Sequence, residues 1–470
     1  MTLDVKKFFQ ATSPEKPLFL DNSEEEQHYY IDFSSVRGGE VIQDLFAQIT
    51  FIPDIPTRQL FTGHVGCGKS TELLQLKAKL EREGFHVVYF DSSKNLEMAD
   101  VDLSDILLAI AAQVSESLDQ IERNQPRNTE DLLKKVGNLL QTEIKLTAEG
   151  SVPGMGKVVA STEGDFSVNV PIPGVGEVKV DNREGFSLVA PLIGKITAKA
   201  KASPDFRDRL REHLEPKTSA ILEAINSELL EPGIKELKEY GKKGLVVIAD
   251  NLEKMHSTPR LGVSQPEYLF VQRGEQLRDL NCHVIYTMPM VLRFSKESGN
   301  LLQYFQQLKM LPMVLVRCRD GSECESGIAL LRQMVLARAF PNLDEEQRLS
   351  KITEIFDTPE TLDRLCRVSG GHVRNLLRLL NNSILKQMGL PISSESLEKV
   401  IREYRNNLVL AVDQKEWELL RQVAQEKKVV VNDGYEQLIR SMFVYEYHQK
   451  DIEPWFDINP ILAEAEEWQQ

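Results

Sequence analysis

No run of roughly 18 apolar residues occurs in the chain, so no membrane-spanning helix is expected. The first residues, Met1-Thr2-Leu3-Asp4-Val5-Lys6-Lys7, lack the apolar stretch of a secretion signal, and a cytoplasmic location is expected. There are only five cysteines: Cys67, Cys282, Cys318, Cys324 and Cys366. None has CxxC spacing, which argues against a zinc or dithiol site, and all five read as free thiols of a reducing compartment. Positive charge is also short. Lys and Arg total 56 against 71 Asp and Glu, a formal net charge of -15, which repels nucleic acid and anionic membrane at long range. A DNA partner is therefore not favoured, although a local basic patch remains open. No internal repeat is present.

What remains is ordinary globular composition, 41% hydrophobic and 27% charged over 470 residues, long enough for about two to four domains. Residues 1–33 read as a lead-in segment. Within Ser34 to Phe51 an amphipathic helix is expected after a turn at Arg37-Gly38-Gly39, with Val41, Leu45, Phe46 and Ile49 at helical spacing, after which Gln59-Leu60-Phe61-Thr62 reads as a strand. A helix over Lys69–Glu83 stops at Gly84, and Phe85–Asp91 reads as a buried strand before a helix over Ile106–Leu118. This strand–loop–helix–strand–helix order predicts a parallel α/β unit. Residues 125–205 break the pattern and read as an irregular insertion, with alternation at Asp165–Val170 and Glu177–Asp181 suggesting short strands. Further strands are expected at Gly244–Asp250 and Cys282–Thr287, and helices at 325–340, 345–356, 360–367 and 371–388. The last segment, 395–470, reads as three helices and two strands.

Residues 63–70, Gly63-His64-Val65-Gly66-Cys67-Gly68-Lys69-Ser70, fit G-x-x-x-x-G-K-[ST] at every position. Backbone N–H groups of such a turn can surround phosphate oxygens because no Cβ blocks the approach, and the helix that follows adds partial positive charge. Lys69 is expected on the β and γ phosphates, Ser70 on Mg²⁺ and Thr71 near the α-phosphate. The expected ligands are thus ATP or ADP with Mg²⁺. A second stretch, Gly154-Met155-Gly156-Lys157, echoes the loop but lacks its spacing and its hydroxyl. Asp250 closes an apolar strand, as a carboxylate holding Mg²⁺ does. Glu253 is the candidate general base. The position directly after Asp250 holds Asn251, which leaves open whether bound ATP is hydrolysed.

The P-loop, Asp250-Asn251-Leu252-Glu253, the polar strand end at Thr287 and the helix Gly370-Gly371-His372-Val373-Arg374-Asn375-Leu376-Leu377 occur in this order. Together they resemble the AAA+ ATPases of the origin-recognition branch and the related STAND signalling ATPases, over 35–120 and 205–465. The resemblance implies a three-layer P-loop core over 34–295 with a parallel sheet, a helical lid over 296–394 and a winged-helix-like domain over 395–470. It implies that Thr287 orients the attacking water, that Arg374 reads the phosphates from the lid, and that Asp32–Gly39, with Arg37 and Gly38, contacts adenine. No trans-acting arginine finger can be placed; Arg293, Arg317 and Arg319 are candidates by position only. His64 and His372 read as bystanders of the chemistry, and Arg207, Arg209 and Arg211 as a solvated helix face. In some STAND proteins a winged-helix histidine senses ADP; His448 lies in that domain, with no surrounding motif in support. The helix Tyr435–Ser441 that would read DNA carries only Arg440, which favours a protein-packing role.

The function expected is an ATP-binding, ATP-hydrolysing regulatory switch, acting through self-association or a protein partner such as a separate effector, in bacterial stress or defence signalling. The alternatives are a DNA-associated loader or transposition-type ATPase and a non-hydrolysing nucleotide-binding scaffold.

Overall fold

The computed structural model describes residues 3–15, 18, 24–121, 158–160, 166–172, 176–180, 198, 200–260, 262–296, 298–430 and 433–469. In chain order the strands are β1 (Arg58–Gly63), β2 (His86–Asp91), β3 (Val158–Ala160), β4 (Phe166–Ile172), β5 (Gly176–Val180), β6 (Leu245–Asp250), β7 (Pro259–Arg260), β8 (Val263–Ser264), β9 (His283–Thr287), β10 (Gln307–Leu311), β11 (Val444–Gln449) and β12 (Ile452–Ile458). Five of them form one parallel sheet in the order β10-β1-β9-β6-β2.

Successive residues of these strands point to opposite faces, and both faces are covered. Leu60, Val88, Phe90, Val247, Ala249, Val284 and Tyr286 pack into a cluster with the helix Leu103–Ile121 and residues of 218–280. Their neighbours Phe61, Val87, Val246, Ile248 and Ile285 pack on the other side with helices Val41–Phe51 and Lys69–Arg82. A sheet buried on both faces needs continuous apolar strands, and β6 is buried at every position. The chain is a three-layer α/β P-loop fold.

Several elements differ from the sequence reading. The turn expected at Arg37-Gly38-Gly39 is present, with Gly38 and Gly39 at positive φ of 76° and 141°, so the helix itself covers Val41–Phe51 and a 3₁₀ turn covers Ser34–Val36. Strand β10 had no expectation. It is an edge strand with only Met310 and Leu311 buried, so its hydrophobic signal is weak, and it carries the sheet past residue 295. The alternating stretches at Asp165–Val170 and Glu177–Asp181 fall on β4 and β5, which pair antiparallel with β3 at the other edge of β4. The second glycine-rich stretch, 154–157, lies outside the described residues. Arg207 and Arg211 do not form a solvated face. Both are buried, Arg207 pairs with Asp100, and Arg211 pairs with Asp100 and Asp105.

After β10, helices Glu325–Ala339, Pro359–Val368 and Val373–Gln387 pack on the face carrying Lys69–Arg82. Helices Ser394–Val409, Gln414–Glu426 and Asp433–Arg440 then lead into the antiparallel hairpin β11–β12. The core of this last unit, around Trp417, Leu420, Leu438 and Phe456, includes Met290 and Val291 from the turn after β9. The C-terminal unit is therefore packed directly against the turn that follows β9. No helix among the described residues is long and apolar enough to cross a membrane.

Candidate nucleotide site

Because the five strands run parallel, their C-terminal ends share one edge, where ligands of open α/β sheets bind. The sheet order places β9 between β1 and β6. Thr287, at the end of β9, therefore lies between the glycine-rich loop after β1 and Asp250 at the end of β6. Lys69 opens the helix after the loop and is 4% exposed. Its ammonium donates to the carbonyls of Gly63 and His64, both at 3.1 Å, and pairs with Glu253 Oε1 at 2.9 Å.

Glu253 reaches Lys69 because of the backbone at Asn251. That residue has φ 66° and ψ 13°, a left-handed conformation that asparagine tolerates, and its side-chain amide donates to Asp91 Oδ1 at 2.7 Å. The bend leads into the 3₁₀ turn Leu252–Lys254, which turns Glu253 rather than Asn251 toward the loop. Leu252 N–H donates to Thr287 Oγ1 at 2.9 Å, fixing that turn to β9. Glu253 Oε2 is buried without a hydrogen bond.

Asp250 is fully buried. Tyr89 O–H donates to its Oδ2 at 2.6 Å and Asn251 N–H to its Oδ1 at 2.7 Å, and the Ser70 hydroxyl stands beside the same carboxylate. Burial, with the neighbouring Glu253 charge, raises the Asp250 carboxyl above its usual value. Burial also works to raise Glu253, but the Lys69 charge overcomes it and Glu253 sits below the ordinary carboxylate range. Two carboxylates three residues apart in sequence are thus pushed in opposite directions by their surroundings. Tyr89 was not foreseen; its one local signal is a hydroxyl set inside the apolar run of β2.

The loop fits a polyphosphate. Gly66 and Gly68 have φ of 88° and 111°. A Cβ on Gly66 would lie 2.8 Å from Arg374 Cβ and 2.9 Å from His372 Cε1, so only glycine fits there. Arg37 is 2% exposed; its Nη2 donates to Cys67 O at 2.7 Å and its Nη1 stands 3.5 Å from Glu72. Its Nε and Nη1 lack hydrogen-bond partners. A buried guanidinium with spare donors beside a glycine-rich turn suits a phosphate or ribose oxygen. Ser70 and Asp250 together suit Mg²⁺, which takes few protein ligands beside phosphates. Thr71 is half-buried on the first turn of the helix. Gly38 lies against the β11 end, where a Cβ would meet His448 Cβ at 2.5 Å.

The helix Val373–Gln387 with its cap His372, and the hairpin β11–β12, both hold the loop. Arg374 N–H donates to Gly66 O at 3.1 Å, while its guanidinium makes no hydrogen bond or ion pair among the described residues. His372 and His64 tie the loop to the C-terminal part of the chain. His372 Nδ1 accepts from Asn375 N–H, so its Nε2 carries the proton and donates to Val65 O at 2.8 Å. His64 Nε2 accepts from Glu446 N–H at 3.0 Å. Burial pushes both imidazoles down to about 3, so each is neutral. The ring of Tyr445 stands between them, stacked on His372 and edge-on to His64. Glu446 is fully buried and pairs with Arg293 at 2.6 Å and with His448 at 2.8 Å. Arg293 is thereby committed within the chain, and Arg317 lies exposed in a turn bridged to Glu323.

Neither a protein-family model nor a curated protein matches the chain. Among solved structures the chain is similar to a Walker-type ATPase of Pyrococcus abyssi, at 11% identity and a TM-score of 0.31, over 93% of this chain and 98% of that one.

Proposed function

We propose that this chain is an ATP-binding and ATP-hydrolysing switch protein of the AAA+/STAND type. The observation that carries the reading is the convergence of Lys69, Ser70, Asp250, Glu253 and Thr287 on one strand edge, beside a glycine-rich loop that the lid and hairpin both hold. The reading divides the chain into a core, a lid around 325–387 and a winged helix from residue 394 onward.

Lys69 would leave Glu253 for the β and γ phosphates, while Ser70 and Asp250 would hold Mg²⁺, which neutralises phosphate charge. Glu253, released from its cation, would take a proton from water as the water oxygen bonds to the terminal phosphorus. The bond from that phosphorus to the bridging oxygen breaks, giving ADP and phosphate. Thr287 would orient the water beside Glu253. Asn251 does not weigh toward a non-hydrolysing scaffold, since its left-handed turn is what delivers Glu253.

Because the loop is hydrogen-bonded to His372, Arg374 and Glu446, any shift of the loop on phosphate binding strains contacts to both C-terminal units. This supports a switch in which nucleotide alters the lid and hairpin and thereby self-association or the engagement of a separate protein partner. The test is mass in solution with ADP and with a non-hydrolysable ATP analogue, each with and without Mg²⁺. The proposal expects nucleotide-dependent assembly or partner capture; one unchanging mass across all nucleotides would refute the switch.

A further inference from the structure

A cavity of about 300 Å³ opens on the Glu253 side of the loop. Its lining includes Gly63, His64, Val65 and Glu253 from the sheet edge and Ile439, Arg440 and Met442 from the C-terminal unit. If Lys69 takes the β and γ phosphates, this is the side on which a terminal phosphate and its attacking water would sit. Among the described lining residues Arg440 is the one Arg or Lys, and the same lining holds Glu253, whose Oε2 is buried without a hydrogen bond.

Three facts make Arg440 available and fixed in place. Its neighbours Leu438 and Ile439 pack in one apolar cluster with Met290 and Val291, so the helix end is anchored to the turn that follows Thr287. Its own ion pair, with Glu436, is long at 3.8 Å and solvent-exposed, with Arg440 36% exposed, and such pairs hold little. The other arginine near this edge from the sheet side, Arg293, is already held by buried Glu446.

We propose that Arg440, supplied in cis by the helix Asp433–Arg440, pairs with the terminal phosphate of a bound nucleoside triphosphate and distinguishes it from the diphosphate. The proposal rests on the nucleotide-binding reading above. A guanidinium at this place neutralises charge that is present on ATP and absent from ADP, so its loss is selective. It also gives the helix Asp433–Arg440 a role that reads phosphate from within the chain rather than along DNA.

The experiment compares wild type, Arg440→Ala, Arg440→Lys and Glu436→Gln for affinity toward ADP and toward a non-hydrolysable ATP analogue, with thermal unfolding as a check on folding. Arg440→Ala is expected to weaken the analogue about tenfold or more while leaving ADP within about twofold, and to slow turnover roughly a hundredfold. Arg440→Lys restores part of the preference, and Glu436→Gln leaves it intact. Equal loss toward both nucleotides, or no loss, overturns the proposal. Should Arg440→Ala fail to fold, Arg440→Lys and Arg440→Gln are judged by the same affinity ratio. Retained binding of both nucleotides by Lys69→Ala would instead overturn the underlying reading.

Discussion

Replacing Glu253 by glutamine removes one charge from a buried pair and keeps the shape. Lys69 Nζ and Glu253 Oε1 are 2.9 Å apart, with side chains 3% and 5% exposed. At an effective dielectric constant near 20, two unit charges at that distance attract by about 6 kcal/mol before desolvation is counted. Breaking such a pair from one side costs roughly 3–5 kcal/mol, because the remaining ion stays buried. Here the cost should fall near about 3 kcal/mol, since Lys69 keeps the Gly63 and His64 carbonyls and has Asp250 nearby. A polyphosphate offers Lys69 a new counter-charge, so the same substitution should cost much less when ATP and Mg²⁺ are saturating. The assay is chemical denaturation of both proteins with and without nucleotide, alongside steady-state turnover. Turnover should fall by roughly 10²–10⁴-fold with ATP binding retained, the range for loss of a general base. Turnover equal to wild type, or a destabilisation unaffected by nucleotide, would refute the reasoning.

Glu446→Gln should destabilise the protein by about 3 kcal/mol at neutral pH, since Arg293 and His448 then lose their buried partner. Burial works to raise the Glu446 carboxyl, but His448 and Arg293 hold it below its usual 4.5. Its stabilising contribution is therefore complete above that value and is lost as pH falls through the lowered one, so the gap between variant and wild type should close on acidification; a gap constant from pH 7 to pH 3 would contradict this. Arg211→Ala should cost about 3–5 kcal/mol by stranding buried Asp105, and an urea midpoint unchanged from wild type would show that the pair is not holding 204–214 to 100–105. His372→Ala removes the donor to Val65 O and should speed ADP release severalfold in a stopped-flow chase, while leaving the sheet's unfolding midpoint nearly unchanged.

The loop at 63–70 was legible because its chemistry is local: spacing alone sets glycines, lysine and hydroxyl along one turn. Asp250 was legible for the same reason, as an acid closing a continuous apolar strand. Glu253 could be named from sequence but not placed, because its approach to Lys69 depends on the left-handed backbone at Asn251, and asparagine in that position reads equally as an ordinary turn. Strand β10 was missed because half of an edge strand faces solvent and its pattern is diluted. The clamp on the loop was illegible for a different reason. His64 and Glu446 are 382 residues apart in sequence, and nothing near either one marks the pairing. Arg207 and Arg211 misled in the opposite direction: three arginines at alternate positions suggest a solvated face, and only the packing of Asp100 and Asp105 beneath them reverses that.

The central claim is that residues 63–70 bind nucleotide phosphate through Lys69. The most direct measurement is calorimetric titration of ATP and ADP with Mg²⁺ into wild type and Lys69→Ala, after stripping and identifying any nucleotide that co-purifies. The account predicts saturable binding by wild type, adenine nucleotide released on stripping, and loss of binding in Lys69→Ala with its thermal unfolding still cooperative. Full nucleotide binding by a folded Lys69→Ala would contradict it.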